Sequence, residues 1–227
     1  MSVTLKLKKN TTSIVLIILF YLFPTNNLAQ NYSDAQIEII MIKFNKLLLS
    51  ADFTDALELI KKEEIQIVSQ KGDALARINY LYSKYYLFIE NYDQAKVYAE
   101  KSLITGEKSR NNIDNAFGHY AMANYYYQFN MLALAYKFLN LSLELIEPSS
   151  HPYLLYHIHY RLYSINTNWD SAIETNIHAQ KALDFALQTK DYDALSNAYS
   201  AKVHAMKYMH EKTKNLVYKD SILTRWV

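Results

Sequence analysis

Cysteine is absent from this 227-residue sequence, and glycine and proline occur three times each. Without cysteine the chain has no disulfide, no thiolate nucleophile and no thiolate metal ligand. So few chain breakers exclude a turn-rich β-protein and predict long helices joined by short connectors. Glycine-rich phosphate loops are missing too, since Gly72, Gly106 and Gly118 are scattered, and there is no Gly-x-Ser-x-Gly nucleophile elbow. His210-Glu211 begins like a zinc-protease helix, but Lys214 stands where the second histidine is required. The one long apolar run, IVLIILFYLF (Ile14 to Phe23), has ten residues, about half of what a bilayer-spanning helix needs. Tyrosine, by contrast, is abundant, with 21 copies; its apolar ring and polar tip suit half-buried helix faces and binding surfaces alike.

The first residues differ from the rest. MSVTLKLKKN carries Lys6, Lys8 and Lys9 and no acid, the apolar run follows, Pro24 breaks it, and TNNLAQ leads to Ala29. Basic start, short apolar centre and small-residue exit are the parts of a secretory signal peptide. Residues 1–29 are therefore expected to be a signal, cut near Ala29–Gln30, with an uncleaved anchor as the alternative. Asn27 is a poor match three residues before the cut, and no cysteine stands there for a lipid anchor. The expected location is exported, periplasmic or membrane-associated. Removing three lysines and no acid leaves 21 basic against 22 acidic residues, a charge of −1. A near-neutral, interspersed surface carries no electrostatic footprint for nucleic acid.

Residues 30–227 show internal self-similarity. Four windows align on alanine: LSADFTDALELIKKEE, FIENYDQAKVYAEKSL, QFNMLALAYKFLNLSL and INTNWDSAIETNIHAQ. Their anchors are Ala56, Ala95, Ala135 and Ala172, spaced by 39, 40 and 37. Three residues earlier stand Phe53, Tyr92, Leu132 and Trp169; before three of these come the helix-capping types Asp52, Asn91 and Asn168, with Asn130 displaced by one. The pattern predicts an aromatic in the first turn of a helix and, one turn on, an alanine that lets another helix cross closely. Upstream of each window, DAQIEIIMIKFNKLLL, DALARINYLYSKYYLF, DNAFGHYAMANYYYQF and PYLLYHIHYRLYSI have helical periodicity. A fifth first helix, DALSNAYSAKVHAMKYM, follows Lys190, with EKTKNLVYKDSILTRW as its partner. Short connections force antiparallel pairs that stack side by side. The predicted fold is all-α, an α-solenoid of about five helix-turn-helix repeats.

These residues resemble the tetratricopeptide repeat. The family's small residue on the first helix, twelve before the alanine, is matched by Ser83 and Ala123 but not by Tyr160; its first-helix aromatic is matched by Tyr86, Tyr126 and Tyr163, and its closing proline loosely by Pro148. The resemblance covers about residues 34 to 222, with periods longer than the usual 34. The Tyr- and Asn-rich array ending in YKDSI is also similar to the exported repeat region of Bacteroidetes membrane-linked transcriptional regulators and sensor kinases. The last residues, Arg225-Trp226-Val227, fall mid-helix on this reading without a polar capping helix. A truncated C-terminus, or cover by another chain, is the expectation.

No catalytic set is legible, and no metal or cofactor is expected. His157 and His159 point about 200° apart on a helix, and His151 falls at a turn after Ser149-Ser150, so the three histidines are read as structural. Tyr85-Tyr86 and Tyr125-Tyr126-Tyr127 lack the basic track that base stacking needs, and Glu63-Glu64 and Asp191/Asp193 are read as solvated faces and caps. The resemblance implies that ligands lie along the concave face of the first helices. By position that face carries Arg77, Tyr80, Lys84 and Phe88, then Phe117, Tyr120, Asn124 and Tyr127, then His157, Arg161 and Ser164. Lys84, Asn124 and Arg161 occupy equivalent places one repeat apart on this alignment and are expected to form a row able to hold an extended peptide through its acids, terminal carboxylate and backbone. The function implied is a non-enzymatic protein- or peptide-binding scaffold, a sensor arm, attached to a membrane through its N-terminus or a missing C-terminal part. A receptor for a small molecule or glycan is the alternative, and a hydrolase on a helical toroid the third.

Overall fold

The computed structural model describes residues 33–69, 74–146 and 151–213. The expected signal (1–29), Pro148 and nearly all of EKTKNLVYKDSILTRW lie outside them. Nine helices and no strand occur among the described residues: α1 (Asp34–Leu49), α2 (Phe53–Ser69), α3 (Leu75–Phe88), α4 (Tyr92–Lys108), α5 (Asn112–Gln128), α6 (Leu132–Glu144), α7 (Pro152–Asn168), α8 (Ala172–Ala186) and α9 (Tyr192–Thr213). Consecutive helices pack on one another, and first helices also meet across units, α1 on α3, α3 on α5 and α7 on α9. This is the predicted all-α helical-repeat solenoid.

The four hairpins share one bend. Ala51, Glu90, Asn130 and Asp170 each adopt a left-handed conformation, with φ of 61, 59, 56 and 60°. In each, the next amide bonds back to a carbonyl in the helix just ended: Asp52 to Leu47, Asn91 to Tyr86, Met131 to Tyr126, Ser171 to Asn166. This pattern closes a helix C-terminus and usually recruits glycine. Here other residues serve, which is how a chain so poor in glycine still turns four times.

The bends correct the alignment of the fourth unit. Each left-handed residue stands five before the fully buried first-turn position of the second helix: Ala56, Ala95, Ala135 and, in the fourth pair, Thr175 rather than Ala172. The true spacings are therefore 39, 40 and 40. Buried positions recur 4, 7 and 11 residues on, as Ala99, Ser102 and Gly106 in α4 and Ala179, Ala182 and Ala186 in α8. Ala172 is only half-buried and opens α8; Asn168 ends α7, its amide donating to Ser164 O at 2.8 Å, and Trp169 caps α7, 45% exposed. The tetrad Asn168-Trp169-Asp170-Ser171 imitates Asn91-Tyr92-Asp93-Gln94 locally, but α7 runs on through Asn168, with Asn166, Thr167 and Asn168 each donating to a carbonyl four residues earlier. Of the other expected caps, Asn91 accepts the Gln94 amide at 3.2 Å, while Asn130 lies in the bend and α6 has no side-chain cap.

Small residues set the helix crossings. Ser83 donates to Ala95 O at 2.9 Å, Ser102 to Ala76 O at 2.7 Å and Ser142 to Ala116 O at 2.8 Å, so two hairpins repeat one bond forty residues apart. Between α4 and α5 the backbones come closer still: a β-carbon on Gly118 would lie 2.7 Å from Leu103 Cα, and one on Gly106 2.6 Å from Asp114 O. In the fourth pair the bulk is exchanged, and Tyr156 packs with Ala182 in a second, smaller core.

Candidate functional site

First helices face inward, and three of them carry a cavity of about 330 Å³. It is lined from α3 by Tyr80, Lys84, Leu87 and Phe88, from the following bend by Glu90, from α5 by Tyr120, Asn124, Tyr127 and Gln128, and from α7 by His157 and Arg161. Eight of the eleven residues expected on this face thus share one cavity. Arg77, Phe117 and Ser164 do not line it, and Arg77 is placed elsewhere. It is buried, with Nε donating to Asp114 Oδ1 at 2.6 Å and Nη1 2.6 Å from Asp34 Oδ1, so it ties α1, α3 and α5 together and faces no groove. Phe117 is likewise buried beneath Arg77, whose guanidinium carbon lies 5.7 Å from its ring.

The row of polar residues forms, by a different register from the one expected. Ser164, not Arg161, is the repeat equivalent of Asn124, and its hydroxyl is spent on Tyr160 O at 3.1 Å. Arg161 sits one turn earlier and reaches across: Nη2 donates to Asn124 Oδ1 at 3.0 Å, and its guanidinium carbon stacks 4.1 Å from the Tyr127 ring centre. Lys84 Nζ donates to Asn45 Oδ1 at 2.6 Å. Asn45 in turn donates through Nδ2 to Tyr153 Oη at 2.5 Å, a bond from α1 to α7 across the inner face. Asn45 stands 39 residues before Lys84, so extending the periodicity one unit upstream would have found it.

Both cations in this cavity rest on neutral partners. No carboxylate among the described residues lies within 4.0 Å of Lys84 or Arg161. Burial, then the Arg161 charge, pull the Lys84 amine down to about 8, against a smaller opposing effect of Asp191. His157, wedged among the Tyr120, Tyr153 and Tyr156 rings, is held well below the ordinary imidazole range by burial and then by Lys84, Arg161 and His151. It is therefore neutral at pH 7. Buried Tyr80 is pushed well above the ordinary phenol range, by burial first and by Tyr120 and Tyr153 next, and stays a hydroxyl. The Nε of Arg161 and Nε2 of His157 are buried without a hydrogen-bond partner.

A second cavity of about 140 Å³ adjoins the first and shares Lys84, Phe88 and His157 with it; α1 adds Asn45, and α9 adds Asp193 and Asn197, with Asp191 just ahead of it. Asp191 Oδ1 caps α9, accepting the Asp193 and Ala194 amides at 3.1 Å each. No helix among the described residues is long and apolar enough to cross a membrane, and none of their acids and histidines form a metal-holding group of three or more.

The sequence matches no protein-family model and none of the curated proteins. Among solved structures the fold is similar to the crystal structure of BtubC (BKLC) from P. vanneervenii, with a TM-score of 0.57 and 16% identity over 92% of this chain and 84% of that one. At that identity the likeness is one of fold.

Proposed function

We propose that the chain is a non-enzymatic, tetratricopeptide-type scaffold that binds a protein or peptide on its inner face, as the exported sensor arm of a signalling or transcription-regulatory protein. The tetratricopeptide reading is supported by Ser83 and Ala123 at the small first-helix position and by the fully buried alanines twelve residues on. In the fourth unit the corrected register puts Tyr163 there, so that unit departs from the pattern. Export is supported by the basic, then apolar, N-terminal residues, and cell fractionation of the full-length chain tests it.

The observation that carries the binding reading is the pair Lys84 and Arg161, two cations from different units in one cavity with no carboxylate against them. Acidic side chains or a peptide terminus would supply the missing charge. A peptide array probed with the purified chain is expected to return acidic sequences, with capture abolished by Arg161→Glu. Capture indifferent to that substitution rejects the inner face as the site.

A second reading, a receptor for a small molecule or glycan, is favoured by the bond from Asn45 to Tyr153. It ties α1 to α7 beside a cavity whose lining is confined to α3, α5, α7 and one bend. Pockets of about this size suit compact ligands.

A further inference from the structure

The cavity between α3, α5 and α7 is specific enough in charge and hydrogen bonding to restrict the ligand that fits it. Taking one ammonium or guanidinium out of water without a counter-ion is expensive, and proteins normally set a carboxylate against it. Arg77 obeys that rule with two carboxylates, whereas the half-buried Lys84 and Arg161 in the neighbouring layer have only neutral oxygens and an aromatic face. Amides and rings orient a cation without cancelling its charge. Acids are near but poorly placed. Glu90 stands on the exposed bend at the rim, and Asp191 caps α9 in the adjoining cavity and offsets Lys84 in part.

The remaining lining sharpens the choice. Arg161 keeps a buried Nε–H to offer, whereas the Tyr80 and Tyr120 hydroxyls, kept protonated by burial, already bond to one another, with Asn124 and Arg161 also against Tyr120. The walls thus hold one uncommitted guanidinium donor and carry two positive charges from helices two units apart. A ligand that satisfies them must be compact and doubly negative.

We infer that this cavity binds a metabolite-sized dianion, a dicarboxylate or a phosphate ester, through Arg161 and Lys84 together. The inference deepens the small-ligand reading above and rests on it. A dianion seated there would bridge α3 to α7 beside the existing link from Asn45 to Tyr153. Guanidinium takes a carboxylate or phosphate through two parallel bonds, and the ammonium supplies a point charge to the other end.

Calorimetric titration of the purified chain tests this with succinate and glucose 6-phosphate as the two probes. Acetate, sodium chloride at matched ionic strength and a neutral disaccharide serve as controls. Saturable binding of succinate or the phosphate ester is expected, with acetate and chloride inert. Arg161→Gln and Lys84→Gln, each shown by circular dichroism to stay folded, are each expected to weaken it by about tenfold or more. Whichever dianion binds tells carboxylate from phosphate. Equal heats from sodium chloride, or dianion binding unchanged in both variants, would overturn the site. Inert dianions with a disaccharide that binds through Arg161 would overturn the dianion while sparing the small-ligand reading. Silence from every probe would reject both.

Discussion

Arg77 and Asp114 form an ion pair sealed inside the protein, 2.6 Å from Nε to Oδ1, with side chains 2% and 0% exposed. The Ser109 hydroxyl donates to the other carboxylate oxygen at 3.0 Å, and Asp34 approaches Arg77 from α1. Three consecutive units are held by one guanidinium. Removing a single partner from such a pair is far worse than removing both. Arg77→Met is expected to lower stability by about 3–5 kcal/mol, and Arg77→Met combined with Asp114→Leu to recover much of that loss. Urea unfolding of the two variants checks it; equal loss in both would contradict the pairing.

Gly118 lies where α4 and α5 touch backbone to backbone. An added methyl group meets Leu103 Cα and Ser102 O at 2.7 and 2.9 Å, neither of which is a flexible side-chain tip. Gly118→Ala is therefore expected to destabilise by about 1–3 kcal/mol despite alanine's better helix propensity. A melting temperature at or above that of the unaltered chain would show that the helices can part at no cost.

Ala51 offers the opposite case. It holds φ at 61°, a conformation that disfavours any residue with a β-carbon. Ala51→Gly relieves that strain at an exposed bend and is expected to stabilise by about 0.5–1 kcal/mol. The same denaturant titration reads the gain.

Acid should loosen the α7–α8 hairpin. His159 Nδ1 lies 3.0 Å from His178 Nδ1, and burial, then His178 and Lys181, hold His159 down at about 3. Burial, then Lys181, hold His178 at about 4. Both folded values lie below the usual 6.5, so the unfolded chain binds protons that the folded chain refuses. Stability is complete above about pH 6.5 and is lost as the pH falls towards 4 and then 3. His151, also held near 4, adds to the same trend. His178→Gln should flatten the fall in melting temperature between pH 6.5 and 4, and an unchanged slope would clear the pair of any part in it.

Most of the architecture was legible in the residues. DAQIEIIMIKFNKLLL is α1 to the residue, and Ala56, Ala95 and Ala135 are fully buried where the second helices meet their neighbours. Trp169 and Ala172 copy the local motif, whereas the signal that fixes the fourth anchor at Thr175 is the longer-range spacing of Ala179, Ala182 and Ala186. Inward-facing Lys84, Asn124 and Tyr127 could be placed by period alone. Arg161 joins the row by another route than periodicity: it shares no register with Asn124, and only its length brings the two together. The burial of Arg77 depended on Asp34 and Asp114, 43 residues before and 37 after it, and no local pattern announces such partners.

A row of hairpins that each touch only the next would give way under tension one at a time, like beads leaving a string. The bond between Asn45 and Tyr153 joins positions 108 residues apart and makes a clasp over the intervening hairpins. Force applied to the two ends must spring that clasp before the hairpins between residues 45 and 153 unravel. The first and fourth pairs must also both be in place before it can shut, so the last step of folding belongs to the array as a whole.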